Sequence, residues 1–327
     1  MSRSAKVFIM IAVCLIAAGL IVFGAAWFIS GGDISKLQPV DYEEVTYPIE
    51  GEVARIEIDA AVSDIELRLT EDGSARAECL ETEKLRHSVS VENRTLRIVC
   101  SGSQSFADNV LNWGVFRSPR LTLYVPDADY LSLNITAETG KIIIPSGMSV
   151  SDVTVKGDTG RAVIGAIEAK TISIALTTGD VTIDGVRTDV LAAGCTTGNI
   201  VLMNIEAAKG VLVQTDTGAA AITGLTAETL HVTTDTGAVG LKDTEISLSM
   251  KIATDTGGVV LDRCGAGAME IRTDTGSVIG TITTRMSFDA KSSTGRVSVP
   301  ESDPHGGKCS LTTDTGSINI SYTDGLN

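Results

Sequence analysis

The dipeptide Thr-Gly recurs at a nearly constant interval through the second part of the chain, and this regularity restricts the folds that the chain can adopt. Each glycine of these pairs lies 19 to 21 residues after the previous one. The ten glycines are Gly140, Gly160, Gly179, Gly198, Gly218, Gly237, Gly257, Gly276, Gly295 and Gly316. So many copies at one period indicate stacked structural repeats, each of which packs against its neighbours.

Apolar residues alternate on both sides of each Thr-Gly pair. Val211 and Val213 precede one glycine by seven and five residues, and Val259 and Leu261 follow another by two and four residues. Alternate residues of a strand share one face. We therefore predict two short strands that meet at a corner, where glycine can adopt a positive φ. A further apolar position seven residues after the glycine, such as Leu225, indicates a third strand.

This pattern predicts an all-β fold, a single-chain β-solenoid (β-helix) of about ten or more coils with 19–20 residues per coil. Aromatic residues make up only 4% of the chain, so small and β-branched side chains must fill the core. Stacked coils about 4.8 Å apart would form a rod. The same parity predicts that both threonines of the sequence Thr-Asp-Thr-Gly point inward and that the aspartate points outward.

The amino terminus has a different character, because no charged residue occurs from Val7 to Ile29. A membrane-spanning helix needs about 20 such residues. Arg3 and Lys6 precede this stretch and Asp33 follows it, so the positive-inside rule places the body outside the cytoplasm. We predict a cytoplasmic stub (1–6), an uncleaved transmembrane helix (7–29) in the cytoplasmic membrane and a linker (30–50). A cleavable signal peptide is the alternative, but its apolar run would be shorter.

The body is predicted to have two parts, a β-rich region (51–120) and the regular solenoid (121–327). Alternating residues near 53–58 and 65–69 predict strands, and Glu92 to Thr95 predicts the turn of a hairpin. Asp64 lies four periods of 19 residues before Gly140, which favours degenerate first coils in this region. Residues 101–118 interrupt the strand pattern and predict a lateral loop, serving as a cap over the core or as a recognition loop.

Repeated Asp-Thr-Gly tripeptides match the active-site sequence of aspartic proteases, but these enzymes need two facing loops that share one proton. Copies at the period of a solenoid do not meet this need. The outward aspartates instead predict a column of carboxylates, formed by Asp216, Asp235, Asp255 and Asp274. Bonds within the turn, solvent screening or a bound divalent cation must offset their repulsion. A role in the turn is favoured, because the glycine-rich nonapeptide of calcium-binding β-rolls is absent from the sequence.

The six cysteines and three histidines show no spacing typical of metal ligands, so the sequence predicts no metal site and no cofactor. Cys195 and Cys309 occupy inward positions of their repeats and are predicted to be core thiols. Cys79 and Cys100 lie on neighbouring predicted strands and are either buried thiols or a disulfide. The three histidines, His87, His231 and His305, are predicted to be surface residues.

Three segments together resemble a known family. They are Pro119 to Pro126, Tyr130 to Ile135 and the following series of Thr-Gly-x-Ile/Val-x-Ile/Leu coils. The sequence resembles the bacterial putative-adhesin domain family, a domain of unknown function, over most of residues 51–323. This resemblance implies a β-solenoid that is frequently membrane-linked and sometimes associated with envelope-stress systems. It supplies no catalytic residues.

The net charge of −15 argues against nucleic acid as a partner. We predict a non-enzymatic, membrane-anchored extracytoplasmic solenoid that acts as an adhesin-like binding, envelope-stress-sensing or scaffold protein. Its expected partners are the membrane, through residues 7–29, and an envelope or surface protein or glycan. The alternatives are a carbohydrate-active β-helix enzyme and a self-assembling surface scaffold, since open strand edges favour self-association.

Overall fold

The computed structural model describes residues 3–29, 42–83, 85–102 and 119–323. Within these ranges it contains one helix, α1 (Arg3–Ile29), and a single sheet of 21 strands. The strands that precede the regular repeats are β1 (Glu43–Ile49), β2 (Arg55–Val62), β3 (Asp64–Thr70), β4 (Ala75–Glu81), β5 (Arg86–Glu92), β6 (Thr95–Ser101) and β7 (Arg120–Pro126).

The repeats form the remaining strands, several of which run around most of a coil. They are β8 (Asp129–Ile144), β9 (Ser149–Ile164), β10 (Glu168–Thr178), β11 (Val181–Asp184), β12 (Arg187–Thr197), β13 (Ile200–Thr217), β14 (Ala220–Thr236), β15 (Val239–Thr256), β16 (Val259–Thr275), β17 (Val278–Ile282), β18 (Met286–Ser292), β19 (Val297–Ser298), β20 (Gly307–Thr315) and β21 (Ile318–Tyr322). The predicted β-solenoid of about ten coils is confirmed.

Each coil has three faces, which β13 and β14 illustrate. The two strands pair in parallel and nearly in register, with a shift only between Ala207 and Gly210. The first face leads to the Thr-Gly corner (211–217), the second follows it (220–223), and the third comes after a turn (225–227). The turns between the second and third faces contain positive-φ residues such as Asn204 and Gly224.

The alternating apolar positions point into one continuous core, as predicted. Val211, Val213, Ile222 and Leu225 are all buried, and so are the apolar residues at the matching positions of the inner coils. Phe288 is only half-buried because its coil is the last of the stack and is covered on one side alone.

The two threonines of Thr-Asp-Thr-Gly have different environments, which corrects the predicted parity. Thr254, three residues before its glycine, is 2% exposed, whereas Thr256, directly before the glycine, is exposed. Strand alternation ends at the corner, so two consecutive side chains, Asp255 and Thr256, both face solvent. The prediction that the second threonine points inward is wrong, because the bend begins one residue earlier than the glycine.

The coils at the carboxyl end are not stacked in sequence order. β20 inserts between β16 and β18, and β21 inserts between β17 and β19, in each case as a parallel neighbour. The coil that carries Gly295 is therefore outermost. Part of its edge is occupied, since the backbone N–H of Asp303 donates to the Met286 carbonyl (2.9 Å) and the Phe288 N–H donates to Ser302 Oγ (2.9 Å).

The amino end has a similar insertion. β2 lies between β6 and β8, and β3 lies between β7 and β8, so the corner at Ser63 and Asp64 stacks directly on the coil of Gly140. Antiparallel strands then cover this end of the stack: β5 pairs with β6, β4 with β7, and β1 with β4. The predicted hairpin turn is present at Asn93 and Arg94, which both have positive φ.

Helix α1 contains the stretch that was predicted to cross a membrane. Within the ranges that the structure describes, no helix meets the combined requirements of length and apolar character for a membrane span. Within the predicted linker (30–50), residues Glu43–Ile49 instead form strand β1, which pairs with β4. The rest of the linker prediction falls largely on residues 30–41, and the lateral-loop prediction on residues 103–118. Both segments lie outside the described residues.

The buried threonines give a test of the corner geometry. The Thr254 hydroxyl donates to the carbonyl oxygen of Gly237 in the neighbouring coil (3.2 Å). Thr254→Val removes this donor at nearly constant volume, so we expect the free energy of unfolding to fall by about 1–2 kcal/mol. Thr256→Val, at the exposed position, should change it by less than about 0.5 kcal/mol. Urea denaturation followed by circular dichroism measures both, and equal effects would contradict the assignment of the two threonines.

Candidate functional site

The Thr-Gly corners stack into a column in which each glycine contacts the next coil closely. The Gly237 N–H donates to the carbonyl oxygen of Thr256 (2.9 Å), and the Gly237 carbonyl oxygen accepts from Thr254. A Cβ atom added to Gly257 would overlap the carbonyl oxygen of Gly237, and each of the other nine corner glycines has the same restriction. Glycine is therefore required by the neighbouring backbone, in addition to the positive φ that residues such as Gly218 adopt.

The outward aspartates lie beside this glycine column, and the structure extends the predicted series by one. Strand register aligns Asp216, Asp235, Asp255 and Asp274 in consecutive coils. Because β20 stacks directly on β16, Asp314 follows Asp274. We call these five residues the acid column. The sequence alone does not show the fifth member, because Ser293 occupies the matching position of the intervening repeat.

The acid column differs from the other charged rows on the surface. Elsewhere opposite charges alternate between coils: Arg187 contacts both Glu168 (3.2 Å) and Glu206 (2.8 Å), and Lys209 contacts Asp189 (3.2 Å). In the acid column, Arg272 pairs with Asp274 at 3.2 Å, and the described residues provide no ion pair to the other four carboxylates. The column is therefore a ridge of mainly unneutralised negative charge. Cation binding by it stays a prediction.

An open groove follows the third face, with a volume of about 560 Å³. Its lining is dominated by small side chains such as Ala207, Ala227 and Ala266, and it carries two acids, Glu228 and Glu245. Glu245 accepts a hydrogen bond from the Thr283 hydroxyl (2.8 Å). Neither histidine nor cysteine lines this groove.

A second set of polar residues lies inside the amino-terminal cap, the end of the stack that the antiparallel strands β1, β4 and β5 cover. Cys79 and Glu81 on β4 and His87 on β5 are all buried, and each offers one metal-ligand atom within 4.8 Å of the others. We call these three residues the buried cluster. At the amino end of the stack, β4 continues the second face and β5 continues the first face. The buried cluster therefore links these two faces where the core closes.

Hydrogen bonds in the buried cluster converge on a single carboxylate oxygen. Glu81 Oε1 accepts from the Tyr47 hydroxyl (2.9 Å) and the His87 backbone N–H (2.8 Å), and it lies 3.1 Å from His87 Nδ1. Within the described part of the chain, Glu81 Oε2 and His87 Nε2 are buried and have no hydrogen-bond partner. A buried polar atom without a partner costs about 1–3 kcal/mol, so these two atoms require an explanation.

Burial sets the protonation of the neighbouring groups. Desolvation lowers the pKa of His87 despite its contact with Glu81, which favours a neutral imidazole. Desolvation, followed by the charge of Glu81, raises the pKa of Cys79 to about 12. Cys79 is accordingly a protonated thiol at neutral pH, unlike the thiolate of a catalytic cysteine.

The buried cluster contradicts the prediction that all three histidines are surface residues, and it was not identified from the sequence as a possible metal site. His87 is 5% exposed rather than a surface residue, because it lies on the inward face of β5; His231 and His305 are exposed. The separations of Cys79, Glu81 and His87 along the sequence match no known metal-ligand motif, so spacing does not reveal the cluster. The available signal was parity, since Cys79 and Glu81 share one face of a strand that precedes a tight turn.

The cysteines of the solenoid coils are core thiols. Cys195 and Cys309 are 6% and 1% exposed, as their inward positions predict, and Cys195 takes the place of the buried threonine in its coil. Cys79 and Cys100 are free buried thiols rather than a disulfide.

Repulsion within the acid column is testable by neutralising two central members. Asp235→Asn combined with Asp255→Asn should raise the free energy of unfolding by about 0.5–1 kcal/mol at low ionic strength, because in-register like charges destabilise a sheet. The gain should vanish in about 1 M salt, where the screening length falls to about 3 Å. Glu92→Gln combined with Glu228→Gln, which removes two exposed acids outside the column, is the matched control. A loss of stability in the column variant at both salt concentrations would contradict the repulsion.

Several solved structures of bacterial proteins are similar to this chain. A putative adhesin from Bacteroides fragilis is 15% identical with a TM-score of 0.43, covering 86% of this chain and 97% of that chain. A putative adhesin from Parabacteroides distasonis is 10% identical with a TM-score of 0.48, covering 87% and 98%. A putative lipid binding protein from Parabacteroides distasonis is 15% identical with a TM-score of 0.37, covering 85% and 97%.

No curated protein has a significant match to this chain. The family model described as Toastrack DUF4097 matches residues 53–321, which include strands β2 to β20 and nearly all of β21. The chain belongs to the Toastrack DUF4097 family.

Proposed function

We propose that this protein is a non-enzymatic, membrane-anchored binding protein whose solenoid lies outside the cytoplasm and attaches to an envelope or surface protein or glycan. The acid column is the observation that carries this proposal. Five carboxylates repeat at the spacing of parallel strands, about 4.8 Å, along one ridge. Such a ridge suits a partner with regularly spaced basic groups, because many weak contacts add together on a rigid surface.

The charge balance of the surface supports this assignment of the ridge. Where charges alternate between coils, ion pairs within the fold neutralise them, as Arg187 does with Glu168 and Glu206. Four of the five column acids have no ion-pair partner among the described residues. Their negative potential is therefore available to a basic partner and would speed its association.

Membrane attachment is proposed for residues 7–29. Large apolar side chains on several sides of α1 are exposed, from 46% at Trp27 to 86% at Phe28. Exposed apolar side chains of this kind are stabilised by contact with an apolar environment such as a membrane. The basic residues before this stretch and the acid after it favour a body outside the cytoplasm.

Two alternatives fit the surface less well. A carbohydrate-active enzyme would pair two carboxyl groups across its substrate. In the groove along the third face, one of the two acids, Glu245, already accepts a hydrogen bond from Thr283. End-to-end assembly would need a free strand edge at the last coil, and Asp303 and Ser302 already bond to part of the β18 edge.

The membrane assignment predicts the behaviour of the full-length protein in cells. We expect it to sediment with membranes, to resist extraction by alkaline carbonate and to be digested by protease added outside the cytoplasmic membrane. Deletion of residues 7–29 should release the body into a soluble fraction. Recovery of the full-length protein in the soluble cytoplasmic fraction would refute the assignment.

The binding role predicts saturable attachment of the full-length protein, held in lipid nanodiscs, to isolated bacterial envelopes. Neutralising all five acid-column residues to Asn should weaken attachment at least about fivefold, since about 1 kcal/mol of charge interaction corresponds to that factor. The control variant Glu71→Gln, Glu92→Gln, Glu228→Gln and Glu301→Gln removes exposed acids outside the column and should bind as the unmodified protein does. No saturable attachment, or equal loss in both variants, would overturn the role of the column.

A further inference from the structure

We propose that the buried cluster is a zinc site, in which Cys79, Glu81 and His87 bind one Zn²⁺ ion through a sulfur, an oxygen and a nitrogen atom. Its place in the amino-terminal cap makes it independent of the acid column and of the proposed binding role.

Distances among the ligand atoms fit this ion. The three atoms lie within 4.8 Å of one another. In a tetrahedral zinc site with bonds of about 2.0–2.3 Å, ligand atoms are roughly 3.5 Å apart. Small side-chain rotations would close this difference, and the connection between β4 and β5 is held by the isolated bridge between Thr82 and Leu85.

Unpartnered atoms provide a second and independent observation. The side chains of His87 and Glu81 are 0% and 2% exposed, yet His87 Nε2 and Glu81 Oε2 have no hydrogen-bond partner among the described residues. The lone pair of Glu81 Oε2 is free to bind a metal ion. Glu81 Oε1 and His87 Nδ1 are 3.1 Å apart, which is close to the separation of two ligand atoms on one zinc ion.

The cap offers a fourth ligand in Cys100. This residue lies directly opposite His87 in the antiparallel pair of β5 and β6. Opposed residues project to the same side of a sheet with Cβ atoms about 4.5–5.5 Å apart. Cys100 is buried and has a free thiol, so a modest rotation would complete a coordination shell of two sulfurs, one nitrogen and one oxygen.

Ligand chemistry and charge select zinc over harder ions. Calcium and magnesium prefer oxygen ligands throughout, whereas thiolate and imidazole suit zinc. Binding replaces the thiol protons of Cys79 and Cys100, which leave to solvent, by two Zn–S bonds. A divalent cation then offsets two of the three negative ligands, and the site with two thiolates, one carboxylate and a neutral imidazole has a net charge of −1.

The ion would connect the two ends of the cap. Cys79 and Glu81 come from β4, which continues the second face, and His87 comes from β5, which continues the first. Metal binding to a site that does not exist in the unfolded chain contributes directly to folding. We therefore expect the zinc ion to stabilise the folded cap at the amino end of the rod.

The test uses the full-length protein in detergent, purified without chelator and analysed for metal by mass spectrometry. We expect about one zinc per chain, a melting temperature that falls on removal of zinc by a strong chelator, and recovery when zinc alone is added back. Cobalt(II) added to the metal-free protein should show the visible bands of a tetrahedral site together with thiolate charge transfer.

Variants locate the ion. Cys79→Ser and His87→Gln should each lower the affinity for zinc at least tenfold, whereas Cys195→Ser, which replaces a buried thiol of the solenoid with the hydroxyl found in other coils, should bind zinc normally. Where a variant fails to fold, the cobalt spectrum of the unmodified protein still decides between sulfur and oxygen ligation. Folded protein that binds no zinc, zinc binding unaffected by Cys79→Ser, or a Cys79–Cys100 disulfide in the native protein would each overturn the proposal.

Discussion

The close approach of successive glycines at the Thr-Gly corner is the constraint on which the rest of the rod depends. The N–H and the carbonyl of Gly237 both bond to the next coil, and a side chain at Gly257 would occupy the place of the Gly237 carbonyl oxygen. Because every coil meets the next through this contact, the coils must stay in register. Register in turn aligns the buried threonines, the outward aspartates and the apolar positions into columns.

Alignment has opposite consequences inside and outside the rod. Inside, it lets the Thr254 hydroxyl satisfy a carbonyl of the neighbouring coil, so the core tolerates a polar atom at each corner. Outside, it places like charges beside one another, which costs stability unless a partner or solvent offsets them. Most exposed rows avoid this cost by alternating their charges, as Lys209 does with Asp189. The acid column does not, and a surface feature that costs stability is more informative about function than one that does not.

The repetitive part of this fold could be predicted from sequence because one physical rule acts many times. Positions such as Val211 and Val213 repeat their alternation in every coil, so a single period determined the solenoid, its core and its corners. Prediction failed where strand alternation does not apply. The exposed Thr256 depends on where the bend begins, and the place of Asp314 beside Asp274 depends on an insertion of strands that no local pattern encodes. The buried cluster was missed for the same reason, because Cys79 and His87 come together only when two sheet ends meet.

At both ends of the stack a coil is inserted out of sequence order. The outermost strand edges are covered in a different way at each end. At the carboxyl end, β18 is covered only in part by Asp303, Ser302 and the ring of Tyr322, which lies 6.5 Å from that of Phe288. At the amino end, three antiparallel strands close the core completely enough to bury a carboxylate and an imidazole. Apolar side chains would have closed this end without leaving unpartnered polar atoms. The proposed zinc ion would account for a carboxylate and an imidazole in the interior, because it would bind both side chains.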